Sequence, residues 1–193
     1  MSQRTRFLLV LIVVAALSRL VPHPPNFTPV TAIALFGAAR LASRWCAFLV
    51  PLAAMLLSDL ALDVVVRFDV YPGWMAQTRG LHSGSWVIYA TMALVTVLGF
   101  TLRAKNSPSR IAGTTLAGSV VFFLVTNFAV WADGSLYPRN VDGFVECYVQ
   151  AIPYFGRSLA GDLLYAGLLF GSFAWVESRY GLQGRVATRP IGS

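Results

Sequence analysis

The chain has 193 residues, 56% of them hydrophobic and only 12% charged, with a mean hydropathy of +0.65. Soluble domains carry about 25% charged residues, so an ordinary soluble globule is excluded and a polytopic membrane helix bundle is indicated, one transmembrane domain over residues 1–193. The net charge of +7 does not point to nucleic acid, because the basic residues lie scattered between apolar spans rather than gathered in a patch with exposed aromatics.

The first predicted element is the apolar run Phe7–Val21, behind the basic pair Arg4 and Arg6. Its outline is that of a signal peptide, but further spans follow, and it reads as an uncleaved first helix. Val21–Pro29 holds four prolines and is a short, stiff connection rather than helix. The second apolar run covers 29–39, only 11 residues. That is too few to cross a bilayer alone, so it reads either as a short helix packed inside the bundle or as a re-entrant segment. Ala34 and Ala38 give it a small-residue face for close helix contact.

Trp45–Val66 is a 22-residue run, long enough for the roughly 30 Å hydrocarbon layer. Within it Asp59 and Asp63 stand four residues apart and therefore on one helix face. A carboxylate at membrane depth costs roughly 2.5–3.5 kcal/mol on insertion scales and turns toward protein or a wet cavity. Asp59 reads two ways, as part of a polar site or as the partner of an arginine. Asp63 reads as an interfacial residue. After a polar stretch with Tyr71, Trp74, Met75 and His82 come a fourth span, 86–102, and a fifth, 111–131, with Asn127 near its end. Residues 141–152 carry apolar positions at a helical period and read as a short amphipathic helix on the membrane. The sixth span is 158–175.

Six crossings with the amino terminus inside put ten of the 15 basic residues on the inner side, as the positive-inside rule requires. The outer side keeps Arg19, Arg67, Arg79, Arg139 and Arg157, together with every acid except Glu177. Long loops and both histidines fall on that same side. The pattern is that of an outward-facing binding cup with both termini inside.

The candidate chemistry is correspondingly on the outer side. His82 can ligate a metal through a neutral imidazole, or simply be solvated. His23 sits between prolines, with Asn26 in the same connection, where a rigid-turn role competes with a binding one. Asn127 can read a substrate or join two helices. Asp162 and Tyr165 stand early in the sixth span, and Tyr89 in the fourth. Asp162 also suits the first turn of a helix, where the dipole favours an acid. Arg139 and Arg157 can meet an anionic group or pair with Asp142 and Glu146. Cys46 and Cys147 are too far apart in sequence to suggest a disulfide framework or a zinc site. No nucleophile elbow, phosphate loop, zinc-ligand pair or dinucleotide fingerprint is present, so an enzyme is not expected.

Several stretches together, VPHPPNFTPVTAIALFGAA, PLAAMLLSDL, LHSGSWVIYATMALVTVLG, FFLVTNFAVW, YPRNVDGFVECYVQAIPYF and GDLLYAGLLFG, resemble a small bacterial membrane-protein family. That family resembles the substrate-binding S components of energy-coupling factor (ECF) vitamin transporters, nearest in kind to the BtuM-type cobalamin proteins. The resemblance covers about 21–171. It implies an all-α six-helix bundle in the bacterial inner (cytoplasmic) membrane, with a vitamin pocket on the outer side. It also implies a bundle that topples to carry its ligand inward. The implied partners are an ECF transmembrane subunit and ATPases, although BtuM-type proteins are often solitary. The first span offers only Ala15 and Ala16 for such docking, not an Ala-xxx-Ala pair. The BtuM-type resemblance further implies a protein thiolate on cobalt. No cysteine stands in 67–85, and His82 is the residue there for that role, with Met75 the poorer one. The expectation is therefore a binding component for uptake of a micronutrient, a cobalamin or other vitamin, with no cofactor of its own. The alternative is an integral-membrane structural or assembly protein without a small-molecule ligand.

Overall fold

The computed structural model describes residues 2–68 and 80–181. Asp69, Tyr71, Trp74, Met75, Arg79, Arg185 and Arg189, which entered the topology and ligand expectations above, lie outside the described residues. Six α-helices make up the described fold: α1 (Gln3–Leu17), α2 (Val30–Arg40), α3 (Arg44–Arg67), α4 (Ser85–Gly99), α5 (Pro108–Asp133) and α6 (Val141–Tyr180). Short 3₁₀ turns at Ser18–Leu20 and Phe100–Leu102 extend α1 and α4. Four segments, α3, α4 with its 3₁₀ extension, α5 and α6, are long and apolar enough to cross a bilayer. The chain is a multi-pass membrane protein.

The bundle is built around α2. This helix is apolar on every side, and Val30 to Ala38 are all buried, as expected of a helix at the centre of a bundle. Its 11 residues measure only about 16 Å, so of the two sequence readings the packed internal helix holds. Phe36 meets the rings of Phe170 and Phe173 edge-on, with centroids 5.2 and 5.8 Å apart, the arrangement aromatic quadrupoles prefer. Around this core, large apolar side chains such as Trp45, Leu49, Leu57 and Val64 of α3 point outward and are exposed. That outer apolar surface is the face a bilayer covers.

Side-chain contacts fix which helix ends lie together. Arg4 at the start of α1 and Arg40 at the end of α2 both reach Glu177 near the end of α6, at 3.4 and 3.8 Å. Arg103, just beyond α4, donates to the carbonyls of Ala38 and Leu41 at the end of α2, at 2.7 and 2.8 Å. Successive helices therefore run alternately up and down, with Arg4, Arg40 and Arg103 gathered at one end.

α6 corrects the sequence reading. The amphipathic segment 141–152 and the span 158–175 are one continuous helix of 40 residues, about 60 Å long. Asn140 caps its start by accepting from the Gly143 N–H at 2.8 Å, with Asp142 in the first turn. Pro153 lies inside the helix and suggests a break in sequence. Tertiary packing carries the helix through it, because α5 lies against both halves. Tyr148 donates to the Leu124 carbonyl at 2.7 Å on one side of the proline, and Asp162 meets Ser119 at 2.7 Å on the other.

Candidate functional site

Two carboxylates are buried in the described bundle, and the fold treats them differently. Asp59 on α3 is 2% exposed and Asp162 on α6 is 4% exposed. Arg19 of the turn after α1 donates to Asp59 at 2.6 Å, and the same guanidinium reaches Ser58 Oγ at 2.5 Å. Tyr89 on α4 donates its hydroxyl to the other Asp59 oxygen at 2.5 Å. Asp59 is thus the centre of a buried network joining the turn after α1, α3 and α4, in which Arg19 Nε is left without a hydrogen-bond partner. Of its two sequence readings, the arginine pair is the one found. A buried pair of this kind is strongly destabilising to break, because the remaining charge is left alone.

Asp162 faces the amino terminus of α2. Ser119 Oγ lies 2.7 Å from its Oδ2. The Thr31 hydroxyl and the backbone N–H groups of Thr31 and Ala32 also face the carboxylate. Pro29 occupies the N-cap of α2 and supplies no side-chain cap. The first N–H groups of α2 have no intrahelical acceptor, so a carboxylate from α6 does the work of a cap from across the bundle. The sequence reading of Asp162 as the acid of its own helix start fails, since α6 begins 21 residues earlier at Val141. The dipole it meets belongs to α2.

Beside Asp162 is a cavity of about 190 Å³. It lies between α5, α6, the start of α2 and the connection before it, and two of its lining rings, Phe123 of α5 and Phe155 of α6, pack 4.9 Å apart. The lining divides by chemistry. Asp162 is the one acidic group, and no basic side chain takes part. Thr28, Thr31, Ser119, Thr126 and Ser158 bring hydroxyls, and Asn26 and Asn127 bring carboxamides. Phe122, Phe123, Tyr154 and Phe155 supply aromatic walls. A wider, shallower depression of about 270 Å³ shares Asn127, Ala151 and Tyr154 with it and leads outward along the α5–α6 hairpin.

The proline-rich connection 21–29 forms a strap over one side. Ser158 Oγ donates to the Asn26 carbonyl at 3.1 Å, and Asn26 itself sits at φ 65°, a left-handed conformation that Asn tolerates better than most residues. The strap lies directly on Gly161 of α6: a Cβ there would stand 3.2 Å from Thr28 N and 3.3 Å from the Phe27 carbonyl carbon. Gly118 does the same between α5 and α2, where a Cβ would meet Thr31 Cγ2 at 2.9 Å. These two glycines hold strap, α2, α5 and α6 close around the carboxylate.

Of the side chains singled out from sequence, Asn26, Asn127 and Asp162 meet in the cavity. The others do not line it. Asn127 donates to the Phe123 carbonyl of its own helix at 2.8 Å, so it lines the cavity rather than joining two helices. His82 is exposed at the start of α4, where its backbone N–H and ring nitrogen both meet Ser85 Oγ, at 2.9 and 3.0 Å. His23 closes a local turn on the Val21 carbonyl at 2.7 Å. Tyr89 belongs to the Asp59 network. Tyr165 Oη lies 2.8 Å from Ser18 Oγ, and its ring packs near Phe27. Arg139 donates to the Asp133 carbonyl at 2.8 Å, and Arg157 stacks over Tyr154 at 5.9 Å; neither pairs with Asp142 or Glu146 among the described residues. Asp63 accepts from the Gly80 and Leu81 N–H groups and pins the loop before α4. Among the described residues no group of three or more His, Cys, Asp or Glu side chains is placed to hold a metal ion.

The sequence reading missed the hydroxyl residues of the cavity and Arg19, the partner of Asp59. Ser119 and Thr115 at one-turn spacing on a span that also carries Thr126 were the available signal, since hydroxyls in an apolar helix mark an inward face. No curated protein and no solved structure matches the chain. Residues 1–187 match the family of unknown function DUF6580, and the chain belongs to that family.

Proposed function

We propose that the protein is the binding component of an uptake system, taking a small micronutrient from the outer side of the membrane. The observation that carries the reading is the cavity beside Asp162. It combines a buried carboxylate, hydroxyls and aromatic walls at the end of the bundle opposite the basic cluster of Arg4, Arg40 and Arg103. The positive-inside rule makes that basic end cytoplasmic, which gives both termini inside and an outward-facing cup. The resemblance to ECF S components supports the same arrangement. The inner membrane of a bacterium, a toppling transport step and an ECF-type or solitary energy source all belong to this proposal, and no catalytic step does.

Size narrows the ligand. Sites for drug-sized molecules span about 300–1,000 Å³, whereas this cavity measures about 190 Å³. A corrinoid would require α5 and α6 to part far beyond this geometry, with His82 brought in from outside the cavity. A smaller vitamin or precursor fits with less rearrangement. The competing reading, a structural or assembly protein, draws on the buried Arg19–Asp59–Tyr89 network, in which both carboxylate oxygens are met by the protein itself.

Purified protein in nanodiscs, titrated with a panel of vitamins, vitamin precursors and corrinoids, separates the two. A binder of the native state stabilises it by mass action, by about 2.7 kcal/mol at a hundredfold excess over Kd, and so raises the melting temperature. The uptake reading expects a saturable rise with at least one compound. No rise with any compound would leave the structural reading.

A further inference from the structure

The cavity carries information about the charge of its occupant. Asp59 and Asp162 are buried to nearly the same degree, yet only Asp59 has a cation. The ion pairs among the described residues are Arg4–Glu177, Arg19–Asp59 and Arg40–Glu177, and none includes Asp162. The partners Asp162 does have are neutral donors, the hydroxyls of Ser119 and Thr31 and the N–H groups at the start of α2. A helix amino terminus is worth about half an elementary positive charge. It therefore offsets only part of a carboxylate held away from water, and such a group takes either a proton or a cationic partner.

Asp162 lines a cavity with four aromatic rings and no Arg or Lys in its lining. Arg157, outside the lining, already stacks over one of these rings, Tyr154, at 5.9 Å, which leaves the other three for a bound cation. A bare divalent ion does not suit it. Calcium takes six to eight oxygen ligands and magnesium an octahedral shell, and only one acidic side chain is present. The volume equals about six waters at 30 Å³ each, room for a compact organic molecule.

We propose that the site selects a small organic monocation. Its charged nitrogen is placed against Asp162, and its flat carbon body lies along Phe122, Phe123 and Phe155. This rests on the uptake reading above and adds the charge of the ligand to it.

Three probes of matched shape test it on the purified full chain in nanodiscs at pH 7: benzylammonium, benzyl alcohol and benzoate. The expected result is a saturable rise in melting temperature with benzylammonium, half-saturating at least tenfold below benzyl alcohol, and no rise with benzoate. Asp162→Asn should abolish the preference for the cation. Should that variant fail to fold, Asn127→Asp, which adds a second carboxylate to the cavity wall, should lower the half-saturating benzylammonium concentration. Benzyl alcohol or benzoate binding as well as the cation would overturn the charge assignment while leaving a binding protein in place. No rise with any of the three would also overturn the assignment, and the uptake reading would then stand or fall on the vitamin panel alone.

Discussion

The Arg19 guanidinium lies 2.6 Å from the Asp59 carboxylate, and the pair ties the end of α1 to α3 inside the bundle. The side chains of the two residues are 10% and 3% exposed, so neither charge has water to fall back on. Tyr89 satisfies the second carboxylate oxygen. Both oxygens of Asp59 are thereby met, which leaves Asp162 as the buried acid that faces a cavity.

Asp59→Asn should be severely destabilising, by about 3–5 kcal/mol, because it strands the Arg19 charge. The double variant Arg19→Met with Asp59→Asn should lose less than the two single changes added together, since members of one network do not act independently. Thermal unfolding of the four proteins in one detergent measures this. Additive losses would mean that the pair is not coupled.

Glu177→Gln should behave differently. Glu177 meets Arg4 and Arg40 at the basic end of the bundle, with its own side chain 23% exposed. Partly hydrated pairs are worth at most about 1 kcal/mol and weaken with salt. The expected loss of stability is therefore small and shrinks further as salt is raised. A loss as large as that of Asp59→Asn would show that this end is drier than its exposure indicates.

Gly161→Ala tests the strap. The new methyl would stand 3.2 Å from Thr28 N and close to Phe27, so strap or helix must shift. Overpacking of this kind costs about 1–3 kcal/mol. Alanine regains about 1 kcal/mol of helix propensity over glycine, so the net fall in stability should be smaller than that amount. Ligand binding should weaken as the strap shifts, because Asn26 and Thr28 line the cavity. Unchanged melting and unchanged binding would place the strap elsewhere.

His82→Ala should leave the cavity intact. The ring is exposed and contacts Ser85 at the start of α4, so the expected change in stability is under about 1 kcal/mol, the size of one local hydrogen bond. Binding of any ligand found in the panel should not change. Lost binding would restore His82 to the ligand set and imply a larger opening than the cavity beside Asp162.

Topology is open to thiol labelling. Cys46 is exposed beside the start of α3, whereas Cys147 is buried between α6 and α5. With the basic end inside, a membrane-impermeant maleimide should modify Cys46 only after cells are opened. In a Cys46→Ala background, Ser135→Cys in the α5–α6 turn should react in intact cells. The reverse pattern would invert the bundle.

What the sequence by itself determined is the membrane class and the order of the apolar segments. Each rests on one-dimensional quantities: the length of an apolar run, a proline cluster at 21–29, and basic residues between spans. The 11 apolar residues of α2 already stood out as too few to cross alone, and Asp59 and Asp162 as acids in apolar runs. The tertiary structure decided what each acid is for. Asp59 and Arg19 are 40 positions apart, and Asp162 and Ser119 are 43 apart, so no local pattern tells that one acid is neutralised and the other is not. It also carried α6 through Pro153, where local backbone preference marks a stop and packing against α5 overrides it. Desolvation and pairing are properties of places in space, and only folding brings the partners, or leaves them out.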